Sequence, residues 1–177
     1  PFILSITRLS LDSVTVPSRL DPSSLPLVRS LHLDYVEYQP IQPLLPQLLA
    51  LHIGMNLNSA DVGILIQAST SITCFSFKET GHVELDDASK TVIREKIVEL
   101  RWESYDSSID ITLATIIDGS KVMKKVTLDA GFLRLADQVG PRFLETLKAV
   151  KAACKKKNIE LWKETFEVGN GKVDLEK

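Results

Sequence analysis

One rhythm recurs along the chain: an apolar residue, two spacers, an apolar residue, one spacer, an apolar residue. It is visible in "ITRLSLDSV" (6–14) and again in "VRSLHLDYV" (28–36), twenty-two residues later. Continuing the count gives the apolar pairs Leu9/Leu11, Leu31/Leu33, Leu51/Ile53, Phe75/Phe77, Leu100/Trp102, Val126/Leu128 and Ile159/Leu161, spaced 22, 20, 24, 25, 26 and 33 residues apart. An apolar residue stands three before the pair in six of the seven units: Ile6, Val28, Leu48, Ile72, Ile97 and Met123; Lys156 holds that position in the seventh. An apolar pair split by one residue is period-two burial, the mark of a short strand with one buried face. A single strand cannot bury two side chains alone. The units are therefore expected to stack in parallel, each against its neighbours, with the returns crossing the far side of the core.

The returns vary. "PSRLDPSSLP" and "QPIQPLLPQ" are short and rich in Pro, which predicts extended or single-turn connections rather than full helices. "NSADVGILIQAST" opens with an N-cap at Asn58 or Ser59 and carries Val62, Leu65 and Ile66 at helical spacing. "DITLATIIDGSK" predicts a second short helix ended by Gly119. "GPRFLETLKAVKAACKKKN" predicts the longest helix. Pro141 starts it, Phe143, Leu144, Leu147, Val150 and Cys154 share one face, and its basic end suits the macrodipole. An ordinary α/β domain of alternating strands and helices is the competing fold. Its crossover units run to roughly 30 residues or more, longer than several connections here.

The pattern resembles the leucine-rich repeat family over residues 3–162. Asn56 occupies the position where that family often places Asn or Cys; Val14, Val36, Thr80, Tyr105, Gly131 and Glu164 stand there in the other units. The irregular unit lengths, and the closing helix that runs into "IELW", are similar to divergent fungal proteins that join an F-box to leucine-rich repeats. The resemblance implies an α/β solenoid with a curved parallel sheet and mixed helix and loop returns. It also implies a role as the substrate-recognition part of an F-box-type ubiquitin ligase adaptor. The expected domains are 1–162, about seven irregular repeats truncated at the N-terminal side, and 163–177. In that tail, Gly169-Asn170-Gly171 suits a hairpin turn and a disordered end equally. Residue 1 is Pro and the first residues are already apolar, so a fragment of a longer protein is expected, with self-association possible through its uncapped N-terminal end.

Composition narrows the function classes. Hydrophobic residues make up 44% and charged residues 25% of the 177, enough for a substantial core. A formal charge of −2 gives no strong field toward nucleic acid or membrane. No apolar run is long enough to span a bilayer, and "PFILSITRLS" lacks a basic leader. Cys74 and Cys154 are eighty residues apart with no metal-type partner nearby, and there is no Asn-x-Ser/Thr sequon. Both facts point to an intracellular, reducing setting, cytoplasmic or nuclear.

Strand alternation assigns the outward, concave face. Between the apolar pairs lie Ser10, His32, His52, Ser76, Arg101, Thr127 and Glu160. After them lie Asp12, Asp34, Gly54, Lys78, Glu103, Asp129 and Trp162, and before them Arg8, Ser30, Ala50, Cys74, Glu99, Lys125 and Asn158. The mixed signs suit a selective protein-binding face better than a phosphate-binding one. The expected contact residues are Asp12, His32, Asp34, His52, Lys78, Arg101, Glu103, Lys125 and Asp129. A solvated face with internally paired charges is the plainer reading. Three other readings compete with it. His32 and His52 fall on adjacent strands near Asp34, which would suit a metal-dependent enzyme or a small-molecule site. A purely structural spacer needs no face at all. The basic run 155–157 offers a nucleic-acid contact, or simply a helix end satisfying its dipole. His82-Val83-Glu84 matches part of a deaminase zinc signature whose downstream Pro-Cys-x-x-Cys is missing. No nucleophile elbow, phosphate loop or His-Glu-x-x-His occurs, so no enzyme activity and no cofactor is expected.

Overall fold

The architecture comes from a computed structural model, which describes residues 6–16, 19–37, 39–54, 57, 59–79, 85–104, 111–128 and 141–163. Seven strands follow one another: β1 (Arg8–Asp12), β2 (Ser30–Asp34), β3 (Ala50–Ile53), β4 (Cys74–Glu79), β5 (Glu99–Ser104), β6 (Lys125–Leu128) and β7 (Glu160–Lys163). They form a single parallel sheet in chain order. The protein is thus α/β, and each return brings the chain to the next position in the sheet.

The inward side chains make the core. Leu31, Leu33, Leu51, Ile53, Phe75, Phe77, Leu100, Trp102, Val126 and Leu128 are all buried and belong to one cluster. At the edge, Leu9 and Leu11 of β1 are only half-buried. Phe77 meets the Trp102 ring edge-on at 5.3 Å, a geometry that aromatic quadrupoles favour.

A repeated backbone device ties the units together. Arg29 and Ser30 both donate their N–H to the Thr7 carbonyl, and Leu49 and Ala50 to that of Arg29. Thr73 and Cys74 share Leu49, Val98 and Glu99 share Thr73, and Lys124 and Lys125 share Val98. At each of these five entries the residue before the strand and the first strand residue bond one carbonyl of the preceding unit. The register is thereby fixed where β2 to β6 begin.

The returns follow their composition. The first contains a single 3-10 turn, Pro22–Ser24, whose N-cap Asp21 accepts from the Ser23 N–H. The second is a longer 3-10 stretch, Gln39–Gln47, with Ile41, Leu44 and Leu45 buried; Pro43 and Pro46 within it cannot donate to an α-helical ladder. The later returns contain α1 (Ser59–Ala68), α2 (Asp87–Lys96), α3 (Ile111–Gly119) and α4 (Pro141–Lys157). Val62, Leu65 and Ile66 of α1 are fully buried, as their spacing predicted. Consecutive helices pack side by side. Lys156 of α4 meets Asp118 of α3 at 2.7 Å, and the Lys157 ammonium donates to the Ser120 carbonyl. Two lysines of the basic run therefore fasten the last helix to its neighbour.

One helix is unforeseen, one expectation holds and one is corrected. Helix α2 has no counterpart in the sequence reading; Asp86 caps it by accepting from the Ser89 N–H. Gly119 is the last residue of α3, as its place in the sequence predicted, although no described glycine has positive φ. The position is also closely packed: a Cβ there would lie 2.7 Å from Nε of the Arg94 side chain. The last apolar pair is misplaced by two residues, because Leu161, not Ile159, stands beside Val126. Ile159 is used elsewhere. Its N–H bonds the Cys154 carbonyl while Asn158, at φ 55°, bonds that of Lys155, the double bond that closes a helix through a left-handed residue. The tail beyond residue 163 lies outside the described residues. Among those residues, no helix is long and apolar enough to cross a membrane.

Candidate binding face

The side chains between the inward residues point away from the core. Because the register is constant from β1 to β5, Ser10, His32, His52, Ser76 and Arg101 form one row across the sheet. Lys78 stands beside Glu103 in the next row, and Asp12 beside Asp34. Arg8, Asp12, Glu99, Glu160 and Trp162 are exposed, and most of the remaining outward side chains are half-buried.

Six of the expected contact residues come together. His32, Asp34, His52, Lys78, Arg101 and Glu103 line one shallow depression of about 360 Å³, joined by Arg8 and Ser76. The His32 and His52 rings stack at 6.0 Å with 22° between their planes. Arg101 Nε donates to Glu103 Oε1 at 3.0 Å. Gly54 is what lets Asp34 lie across the end of β3: a Cβ at Gly54 would sit 2.5 Å from Asp34 Cγ and Oδ1. Burial, and then the charges of His32, Arg8 and Arg101, hold the His52 imidazole below its ordinary value. The local field at His52 is therefore positive.

The other expected contacts lie apart. Asp12 is exposed and accepts from the Ser13 hydroxyl at 2.9 Å. Lys125 belongs to a second cluster, its ammonium 4.4 Å from the centre of the Trp162 ring, which is 52% exposed. That contact depends on the β7 register, which places Trp162 beside Thr127. Asp129 lies outside the described residues, as do Asn56 and the His82-Val83-Glu84 triplet. Among the described residues, no three His, Cys, Asp or Glu side chains converge in a way that could hold a metal ion. His32, His52 and Asp34 are neighbours without being a ligand set. Cys74 is half-buried on the outward face, and burial first, then Glu99, raises its thiol. Cys154 is in the core and is pushed up to about 11 by burial. Both cysteines are free.

No family model matches the chain, and comparisons with curated proteins and with solved structures return no match.

Proposed function

We propose that the chain is a protein-recognition module of the leucine-rich-repeat type, binding its partner through the outward face of β2–β5. The observation that carries this reading is the division between the two sides of the sheet. One side supplies the core. The other presents rows of side chains of both signs at strand spacing, on a backbone whose register is pinned at the entries of β2 to β6. A rigid face loses little conformational entropy on binding, and interleaved charges reject wrong partners by leaving them mispaired. The five repeated strand entries support the repeat reading, since each unit is built onto the previous one by the same step. The narrower role, substrate recognition within an F-box-type ubiquitin ligase adaptor, rests on the sequence resemblance alone.

The test is capture from an extract of the source cells with two baits, the chain itself and its Arg101→Glu/Glu103→Lys form. The exchange keeps the net charge and the local ion pair while reversing the pattern that a partner meets. A protein bound by the first and lost by the second supports the reading. Identical lists from both would favour a structural spacer.

A further inference from the structure

We propose that the depression over β1–β5 seats carboxylate side chains from an acidic peptide segment of the partner, and that the stacked His32/His52 pair tightens this grip as the pH falls. The inference rests on the protein-recognition reading and names the chemistry of what is recognised.

Charge balance carries the first half. The charged groups that line the depression with the histidine pair are Arg8 from β1, Asp34 from β2, Lys78 from β4, and Arg101 and Glu103 from β5; Asp12 stands beside Asp34 outside this lining, and Cys74 beside Ala50. Three cations stand against two carboxylates, in a chain whose formal net charge is −2. The depression is thus positive where the molecule as a whole is negative. Cys74 does not alter this balance near neutral pH, because its thiol is held in the protonated, uncharged form. The floor offers the hydroxyl of Ser76, 7% exposed, between His52 and Arg101. A carboxylate placed there would meet imidazole, hydroxyl and guanidinium groups in one row, and charge-assisted contacts of that kind are the stronger ones.

Stacking carries the second half. The two rings lie side by side at 6.0 Å, so protonating both puts like charges together on a surface that already holds Arg8 and Arg101. An anion against the pair offsets that repulsion. Binding the anion and binding the protons are then linked: each promotes the other. His52 is the poorer proton acceptor while the depression is empty and a better one when it is filled.

Fluorescence anisotropy with the full chain tests this. The probe is a fluorescein-labelled peptide of alternating glutamate and glycine, with its glutamine counterpart as control, at constant ionic strength. If binding raises one histidine by about one pKa unit, the glutamate peptide binds about fivefold tighter near pH 5.5 than near pH 7.5. The glutamine peptide does not bind. His32→Gln/His52→Gln removes the pH dependence, and Arg101→Gln weakens binding at both pH values, with far-UV circular dichroism confirming that each variant is folded. The imidazole NMR signals give a second readout: His52 titrates at higher pH with the peptide present. Affinity that does not vary with pH, variation that survives in the double histidine variant, or no binding at millimolar peptide would overturn the proposal. So would tighter binding of a single-stranded oligonucleotide with the same pH profile. The failures separate cleanly. If the Arg101→Glu/Glu103→Lys bait loses its partner but the peptide does not bind, this inference falls and the face remains. If that bait keeps its partner, the face itself is wrong.

Discussion

Replacing Gly54 by alanine probes the packing that sets the edge of the depression. The new Cβ would lie 2.5 Å from Asp34 Cγ and Oδ1 and 2.9 Å from Asp34 Cβ, against the 3.5–4.0 Å or so at which carbon atoms rest. Rotating the carboxylate relieves the first two contacts. The third involves an atom fixed to the β2 backbone, and the Gly54 N–H bonded to the Leu33 carbonyl at 2.6 Å keeps the two strands from separating. No described glycine has positive φ, so backbone strain adds nothing and the cost is one of contact. Overpacking of this kind costs about 1–3 kcal/mol. The smaller conformational freedom of alanine in the unfolded chain returns roughly 0.4–1 kcal/mol. The net loss is about 1–2 kcal/mol, or a fall in Tm of about 2–8 °C for a chain of this length. Urea unfolding should show a lower midpoint with an unchanged m-value. In an Asp34→Gly background the Cβ contact is gone together with those to Cγ and Oδ1, and the loss should shrink by about half or more. A Gly54→Ala protein within about 0.5 kcal/mol of the parent, or an equal loss in both backgrounds, would refute the reasoning.

Other predictions follow from particular contacts. Asn158 sits at φ 55° where α4 closes, so Asn158→Ala should cost about 1 kcal/mol in thermal unfolding while Asn158→Gly is neutral or stabilising. Because His52 is held below its ordinary value, the folded chain binds fewer protons there than the unfolded chain. Its contribution to stability is therefore present above about pH 6.5 and lost as the pH falls through the lower folded value. Stability measured against pH should flatten over that window in His52→Gln. Asp86 is lowered by its bonds from Ser89, so a further loss should appear in acid below the ordinary aspartate value, and Asp86→Asn should remove it. Thiol labelling followed by mass spectrometry should find Cys74 modified slowly and Cys154 only on unfolding, since burial raises both thiols and Cys154 is in the core.

The strands were legible because their burial is written at the shortest period a chain has. Leu31/Leu33 and Phe75/Phe77 announce an inward face without help from any neighbour. Once the period is constant, register follows, which is why His32 and His52 could be placed side by side from sequence. Helix α2 was not legible because so little of it is apolar. Ser89 and Ile93 are its buried residues, and one of them is a serine. Its signal was Asp86 followed by the polar-to-basic run ending in Arg94 and Lys96, a cap and dipole pattern rather than a hydrophobic one. The last strand was misread for a competing reason. Ile159 alternates with Leu161 as a strand should, but its N–H closes α4, so the sheet begins at Glu160 and the register moves by two residues. That shift sets Trp162 beside Thr127 and within reach of Lys125. Arg8 was visible as an outward residue of β1; its place around the depression depends on the reach of a long side chain across neighbouring strands, which spacing does not encode.

Hydroxyl-radical footprinting of the chain, alone and with the captured partner, tests the recognition face most directly. The account predicts protection of His32, His52 and other outward side chains of β2–β5, with Val122 and Ile64, which are exposed elsewhere, labelled equally in both states. Protection of Ile64 and Val122 with His32 and His52 unchanged would contradict it and place recognition away from the sheet.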